Sequence, residues 1–211
     1  MVFGMIYFTS DTHFQHGNKL GEMPSGIIKF CNRPYASAEE MDEALIANWN
    51  EVVTSADTVY HLGDFGFGSW QGLKTIRKRL NGHIVLVPGN HDERFRRNLR
   101  DCFEVVDRIH QIKDGGKTIV LSHYPLLSWN AAYHGSLHLH GHTHGNITPL
   151  GNRTDVGVDV WNYRPICLEE IQSRLVPGLH FEIEKILGDS CNSDQMASIF
   201  LLLRKQGVFI Q

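Results

Sequence analysis

Five short runs hold the groups that could do chemistry: Asp11-Thr12-His13, Gly63-Asp64, Gly89-Asn90-His91-Asp92, Ser122-His123 and Gly141-His142-Thr143-His144-Gly145. They put carboxylate, imidazole and amide oxygen beside glycine, and together they offer seven or eight donors, enough for two metal ions rather than one. Such a mixed set suits Mn²⁺, Fe or Zn²⁺; it does not suit Ca²⁺, which prefers oxygen alone, or a thiolate site. Two ions ~3.5–4 Å apart can share a bridging hydroxide and hold a phosphate through in-line attack. The expected chemistry is therefore hydrolysis of phosphate esters. Asp64 is alone on its loop and is the natural carboxylate to bridge the ions.

Each run follows an apolar stretch that reads as a strand, and sites of open α/β sheets form where loops converge at the carboxyl ends of strands. In Asp11-x-His13 and His142-x-His144 the paired residues are two apart, so in an extended segment both point to one side. Gly63, Gly89, Gly141 and Gly145 permit tight turns and close approach of backbone to an ion or phosphate. A single D-x-H or G-D arises readily by chance, and a lone histidine at a strand end is usually satisfied by backbone. The ordered occurrence of all five runs is what points to a site.

The elements behind the runs alternate as β-loop-α-β. Gly4 to Phe8 reads as a buried strand, and Asp57 to His61 and Ile84 to Val87 as further ones. Ser37-Ala38-Glu39-Glu40 has the form of a capping box, and Met41, Leu45, Ile46, Trp49 and Val52 recur at helical spacing, predicting a helix from about 38 to 53. Leu73 to Leu80 is a basic amphipathic segment. Val105 to Ile112 and Lys117 to Leu121 flank Asp114-Gly115-Gly116, a hairpin turn. Leu137 to His140 and Val156 to Val160 complete the strands. A β/α first half and a mostly β second half suit two packed sheets with helices outside.

The 211 residues fit one domain, expected over 1–175, with 176–211 as an extension docked on it through a short helix from Ser193 to Lys205. A net charge of −3 implies no broad attraction to nucleic acid or anionic membrane. Seven of the 13 histidines lie between His110 and His144, a clustering that favours metal chemistry. Cys31, Cys102, Cys167 and Cys191 form no C-x-x-C pair and read as small packing residues. The apolar start, Val2 to Phe8, lacks a basic leader and a cleavage site and reads as a strand, and no apolar run reaches the ~20 residues that span a bilayer. The expectation is a cytoplasmic protein without a membrane segment.

Taken in order, D-x-H, G-D, G-N-H-D, a later strand-terminal His and G-H-x-H, the runs resemble the calcineurin-like metallophosphoesterase superfamily over residues 5 to 160. Ile27 to Pro34 and Asp155-Val156-Gly157-Val158-Asp159 are similar to its small bacterial and phage members. The resemblance implies a four-layer α/β/β/α sandwich of two mixed sheets flanked by helices. It implies two divalent metal ions, Mn²⁺ first, with Fe, Zn²⁺ or Ni²⁺ as alternatives. Asp11, His13, Asp64 and His144 would hold one ion, and Asp64, Asn90, His123 and His142 the other. His91 would be the catalytic residue near the leaving-group oxygen, with Asp92 orienting its imidazole; His140 has no place in the pattern and reads as a strand residue or a supporting group.

About fifty residues separate Asp11-x-His13 from Gly63-Asp64, more than compact members have. The excess, Phe14 to Ser37, starts beside the ligands, so His16 or Arg33 is expected to contact substrate phosphate. The substrate expected is a small-molecule phosphate ester or a nucleotide, diester or monoester. A nuclease is the alternative, kept open by Lys74 to Arg79 and by Arg94, Arg96 and Arg97. A non-catalytic scaffold of the same fold would require eroded ligands, and here every position is filled.

Overall fold

The computed structural model describes residues 4–147 and 151–175. The expected helix at 193–205 and the extension from 176 lie outside these residues. In chain order the elements are β1 (Ile6–Thr9), α1 (Gly26–Phe30), α2 (Ala38–Val52), β2 (Thr58–His61), α3 (Trp70–Arg79), β3 (His83–Leu86) and β4 (Glu104–Val105). They are followed by β5 (Ile109–Asp114), β6 (Lys117–Ser122), β7 (Leu137–His140), β8 (Arg153–Asp155), β9 (Ile166–Cys167) and α4 (Leu168–Arg174).

Among the described residues two sheets form, as the alternation of elements predicts. One has the order β4-β3-β2-β1-β9, parallel except for β9; the other has the order β5-β6-β7-β8, with only the β5–β6 pair antiparallel. Side chains that alternate along a strand serve two cores at once. Phe8 on β1 and Leu62 and Val87 just past β2 and β3 pack between the sheets with Ile119, Leu121, Leu137 and Leu139. Tyr7, Val59, Ile84 and Leu86 turn the other way, toward Met41, Leu45 and Trp49 of α2 and Leu73 and Ile76 of α3. Each such side chain taken from water contributes roughly 1.5–3 kcal/mol. The outer face of the second sheet is covered, among the described residues, by Trp129 and Ala132 over Val120. No helix among the described residues is long and apolar enough to cross a membrane.

The register of the first sheet matters for the site. Thr9 of β1 lies beside His61 of β2, and His61 beside Leu86 of β3, so the three strands end at one level. The loops carrying Asp11, Asp64 and Asn90 therefore leave from a common edge.

Helix α2 begins where expected, but its cap is shifted. The Ser37 hydroxyl accepts from Glu40 N–H, whereas the Glu40 carboxylate takes the N–H of Ala36 rather than that of Ser37. Two strand assignments need correction. Val105 to Ile112 is not one strand: Val105 ends in the first sheet and Ile109 starts in the second, with the chain crossing between them. An apolar run does not declare which sheet it joins. Val156 to Val160 is not a strand beyond one bridge from Gly157 to Ser10, because the Asp155 carboxylate takes the Gly157 N–H at 2.6 Å and curls the backbone into turns. The strand there is β8, just before it. The hairpin turn at Gly115-Gly116 forms as predicted, both glycines having positive φ.

The segment from Phe14 to Ser37 is built rather than loose. It contains α1, and the Asn18 amide donates to the carbonyls of Lys19, Glu22 and Ala36, drawing its two ends together.

Candidate metal centre

The structure gathers Asp11, His13 and His144 in one cluster of donor atoms and Asp11, Asp64 and His123 in another, each within 4.8 Å. Asp11 thus belongs to both, whereas sequence reasoning gave the shared position to Asp64 alone.

The two carboxylates are arranged alike. Asp11 Oδ2 accepts from the Ser10 hydroxyl at 2.6 Å and from His142 N–H at 2.8 Å. Its Oδ1 is buried without a hydrogen-bond partner, 3.8 Å from His13 Nε2 and 4.0 Å from His144 Nε2. Asp64 Oδ1 accepts from His91 N–H at 2.9 Å, and its Oδ2 lies 3.7 Å from His13 Nε2, 3.5 Å from His123 Nε2 and 3.8 Å from His91 Nε2. In both, one oxygen is fixed by a backbone amide and the other faces imidazole nitrogens beyond hydrogen-bonding range. Two donors each bound at about 2.0–2.2 Å to one ion stand about 3–4 Å apart, so these separations fit shared cations.

The histidine tautomers agree. His144 Nδ1 donates to Asp159 at 2.7 Å and His123 Nδ1 donates to the Leu62 carbonyl at 2.8 Å, so Nε2 is the atom each ring turns to the centre. His123 Nε2 and Asn90 Oδ1 meet at 2.9 Å, so both reach the same point of the centre. His13 Nε2 is buried and unpartnered, like Asp11 Oδ1. His142 stands beside His123, ring centroids 5.1 Å apart. Burial opposes charge on His144, but the Asp159 carboxylate outweighs it and lifts the ring's pKa to about 10. Asp11 is driven up by burial, but the imidazoles around it hold it well below the usual carboxylate range. Metal binding at such groups displaces protons.

Backbone conformation links these residues, although Gln15, Asn32, Ala131, Asn162 and Tyr163 share it. Asp11, His13, Asp64, His142 and His144 all have positive φ, between 48° and 69°. For non-glycine residues this costs of order 1–3 kcal/mol each and persists only where neighbours enforce it. The D-x-H and H-x-H pairs are therefore not extended, as their two-residue spacing suggested, but converge through left-handed turns. Gly141 is required by closeness: a Cβ there would stand 2.3 Å from Asp11 Oδ2.

Three buried groups enforce the turns. Arg33, expected at the substrate, is instead inside. It forks onto both oxygens of Asp159 at 2.8 Å and donates to the carbonyls of Asp11 at 2.7 Å and Thr12 at 2.9 Å. Its guanidinium thus ties the Asp11 turn to the carboxylate that orients His144, and its side chain has no exposed surface for a phosphate. Asp155 accepts from the Thr143 hydroxyl and Gly145 N–H, bracing the loop of His142 and His144. Asp92 does not touch the His91 ring, contrary to expectation. Its carboxylate accepts the N–H groups of Asp64, Phe65 and Gly89 at 2.7, 3.0 and 2.8 Å. Burial pushes the Asp92 carboxyl up even so. The D-V-G-V-D run stands out in the sequence, but only the fold shows that Asp155 and Asp159 are braces.

Removing Asp92 strands three buried donors. Asp92→Ala is expected to lower the unfolding free energy by about 3–5 kcal/mol, measured from the urea midpoint, with Asp92→Asn falling in between because one acceptor oxygen survives.

Other polar residues have local explanations. His61 accepts from Gly63 N–H and donates through Nε2 to the Thr12 hydroxyl, which itself donates to the Phe65 carbonyl; burial lowers its pKa to about 3 and keeps it neutral. His138 is likewise neutral, between Leu126 N–H and the Val120 carbonyl. His140 is buried on β7 and donates through Nδ1 to the Gly141 carbonyl. Cys31, Cys102 and Cys167 are free, and Cys191 lies outside the described residues.

His91 sits at the edge of the centre, its side chain 40% exposed and its ring 4.7 Å from that of Phe67. His16 is stacked on Phe67 at 3.9 Å, and its Nδ1 lies 3.0 Å from that of His13.

Comparison with known proteins places this geometry. The chain is 37% identical over 182 residues to the uncharacterized protein MJ1445 of Methanocaldococcus jannaschii, covering 82% of this chain and 92% of that one. It is 30% identical over 211 residues to the gene 66 protein of Mycobacterium phage L5, covering 83% and 96%. The solved structure of AQ665 from Aquifex aeolicus, a protein of unknown function, superposes with a TM-score of 0.61 at 28% identity, covering 81% of this chain and 98% of that one. The family model for calcineurin-like phosphoesterases matches residues 4–146, a span that takes in all five donor-bearing runs. With carboxylates and imidazoles converging as they do, the chain belongs to the calcineurin-like phosphoesterases, metal-dependent hydrolases of phosphoric esters.

Proposed function

We propose that the chain hydrolyses phosphate esters of small molecules or nucleotides, diester or monoester, at a centre of two divalent ions, Mn²⁺ first among them. Asp11, His13, Asp64 and His144 hold one ion and Asp64, Asn90, His123 and His142 the other. The supporting observation is the matched pair of carboxylates, each with one oxygen pinned by a backbone amide and the other facing imidazole nitrogens. When bound, the ions supply an activated water at neutral pH and neutralise phosphate charge.

The chain's own residues do the rest. Asp11 and Asp64 each turn one oxygen toward the surrounding imidazoles. His91, at the exposed edge, delivers a proton to the departing ester oxygen. Its backbone N–H holds Asp64 independently of that role. Arg33, Asp92 and Asp155 keep the turns in place without meeting substrate.

The nuclease alternative rests on Lys74 to Arg79 and on Arg94, Arg96 and Arg97, part of which the protein itself uses. Arg94 donates to the Phe67 carbonyl and Arg96 pairs with Glu93, so two of the basic residues that suggested it are engaged within the protein. The test is turnover of bis(p-nitrophenyl) phosphate and p-nitrophenyl phosphate by protein loaded in turn with Mn²⁺, Ni²⁺, Fe²⁺ and Zn²⁺. Hydrolysis of either is expected, and the ratio of rates separates diesterase from monoesterase. No turnover despite two bound ions would favour a scaffold.

A further inference from the structure

Between α1 and the metal centre lies a recess of about 320 Å³, lined by His13, His16, Ile27, Phe30, His91 and His144. We propose that it receives a planar aromatic group on the phosphate ester, an aryl ring or a nucleobase. This rests on the phosphoesterase reading and names the part of the substrate that reading leaves open.

The walls select for a flat apolar group. Phe30, on α1, is 75% exposed, a large apolar surface left in water directly beside a polar centre. Its ring stands edge-on to His144 at 6.1 Å. His16, which also lines the recess, is held flat by Phe67, with only 11° between the rings. Gly26 also lines the recess and approaches His16 closely: its φ is +57°, and a Cβ there would lie 2.7 Å from the His16 ring. Aromatic rings that line a recess bind a planar π system by stacking, tolerant of which ring it is.

Charge excludes the obvious competitor. Aromatic recesses also take ammonium groups, but no carboxylate lines this one among the described residues.

The recess also explains the long segment between the first two ligand runs. Ile27 and Phe30 both come from it, so the added residues supply a wall to the site.

The experiment is competitive inhibition of the Mn²⁺-loaded enzyme by methylphosphonate, cyclohexylphosphonate, phenylphosphonate and an adenosine 5′-phosphonate. Phenylphosphonate is expected to inhibit at a concentration on the order of tenfold lower than methylphosphonate, and lower than cyclohexylphosphonate, which matches it in size but is not flat. Phe30→Ala should bring the phenyl-to-methyl ratio close to one, with Phe30→Leu in between. The adenosine compound binding still tighter than phenylphosphonate assigns the recess to a nucleobase; the reverse order assigns it to a smaller aryl ester. Equal inhibition by all the phosphonates, or a ratio untouched by Phe30→Ala, overturns the proposal while leaving the hydrolase intact. Absence of turnover by the wild-type protein with every ion overturns the parent reading instead.

Discussion

Asp64→Asn is expected to bring metal content below one ion per chain and to cut kcat/KM by more than ~100-fold, beyond the 10–100-fold typical of losing an outer partner of a ligand. The reason is position. Asp64 Oδ2 stands 3.5–3.8 Å from the Nε2 atoms of His13, His91 and His123, the most central oxygen of the group. Asparagine keeps an acceptor for the His91 N–H, so the loop is held and the fold should survive. Elemental analysis after gel filtration, with a thermal melt of the same sample, reads both quantities. Two ions retained at wild-type affinity would remove Asp64 from the bridging role and pass it to Asp11, which also joins both clusters.

His91→Ala should do the opposite, leaving two ions and lowering kcat by ~10²–10⁴, the range of general acid catalysis. The substitution is clean because the main-chain N–H, not the ring, holds Asp64 Oδ1. The loss should depend on the leaving group. An alkyl alkoxide needs a proton to depart and p-nitrophenolate hardly does, so an alkyl diester should suffer far more than the nitrophenyl ester. A uniform loss across leaving groups, or loss of an ion, would place His91 among the ligands.

How much of this was legible in the sequence divides by the range of the interaction. The five runs were readable because each is local: glycine, donor and strand end fall within a few residues. The two-sheet architecture was readable from the alternation of apolar segments. What could not be read depended on partners distant in sequence. Arg33 looked like a phosphate ligand because an arginine beside a metal motif usually has no better use; its partner, Asp159, is 126 residues away. Asp92 was given to its neighbour His91, the nearest imidazole, whereas two of the three amides it satisfies belong to Asp64 and Phe65 on another loop. The Val156 to Val160 alternation imitated a strand because an aspartate side chain competing for the backbone leaves the hydrophobic pattern untouched. The left-handed turns at five donor positions carry no signature in residue type, since none of the five is glycine.

The level strand ends of the first sheet act as a ruler for any change of chain length. With Thr9, His61 and Leu86 side by side, the distance from each strand end to its donor is fixed to the residue. One residue inserted between His61 and Asp64 moves a donor by ~3.3 Å along an extended chain, many times the ~0.2 Å tolerance of a coordination bond. Added length is harmless only once a loop has delivered its donors and before the next helix begins. The segment from Phe14 to Ser37 lies in that interval, after His13 and before α2. New specificity can therefore be grafted onto this scaffold, by evolution or by design, in the stretches that follow the donors, while the few residues between strand and donor keep their length.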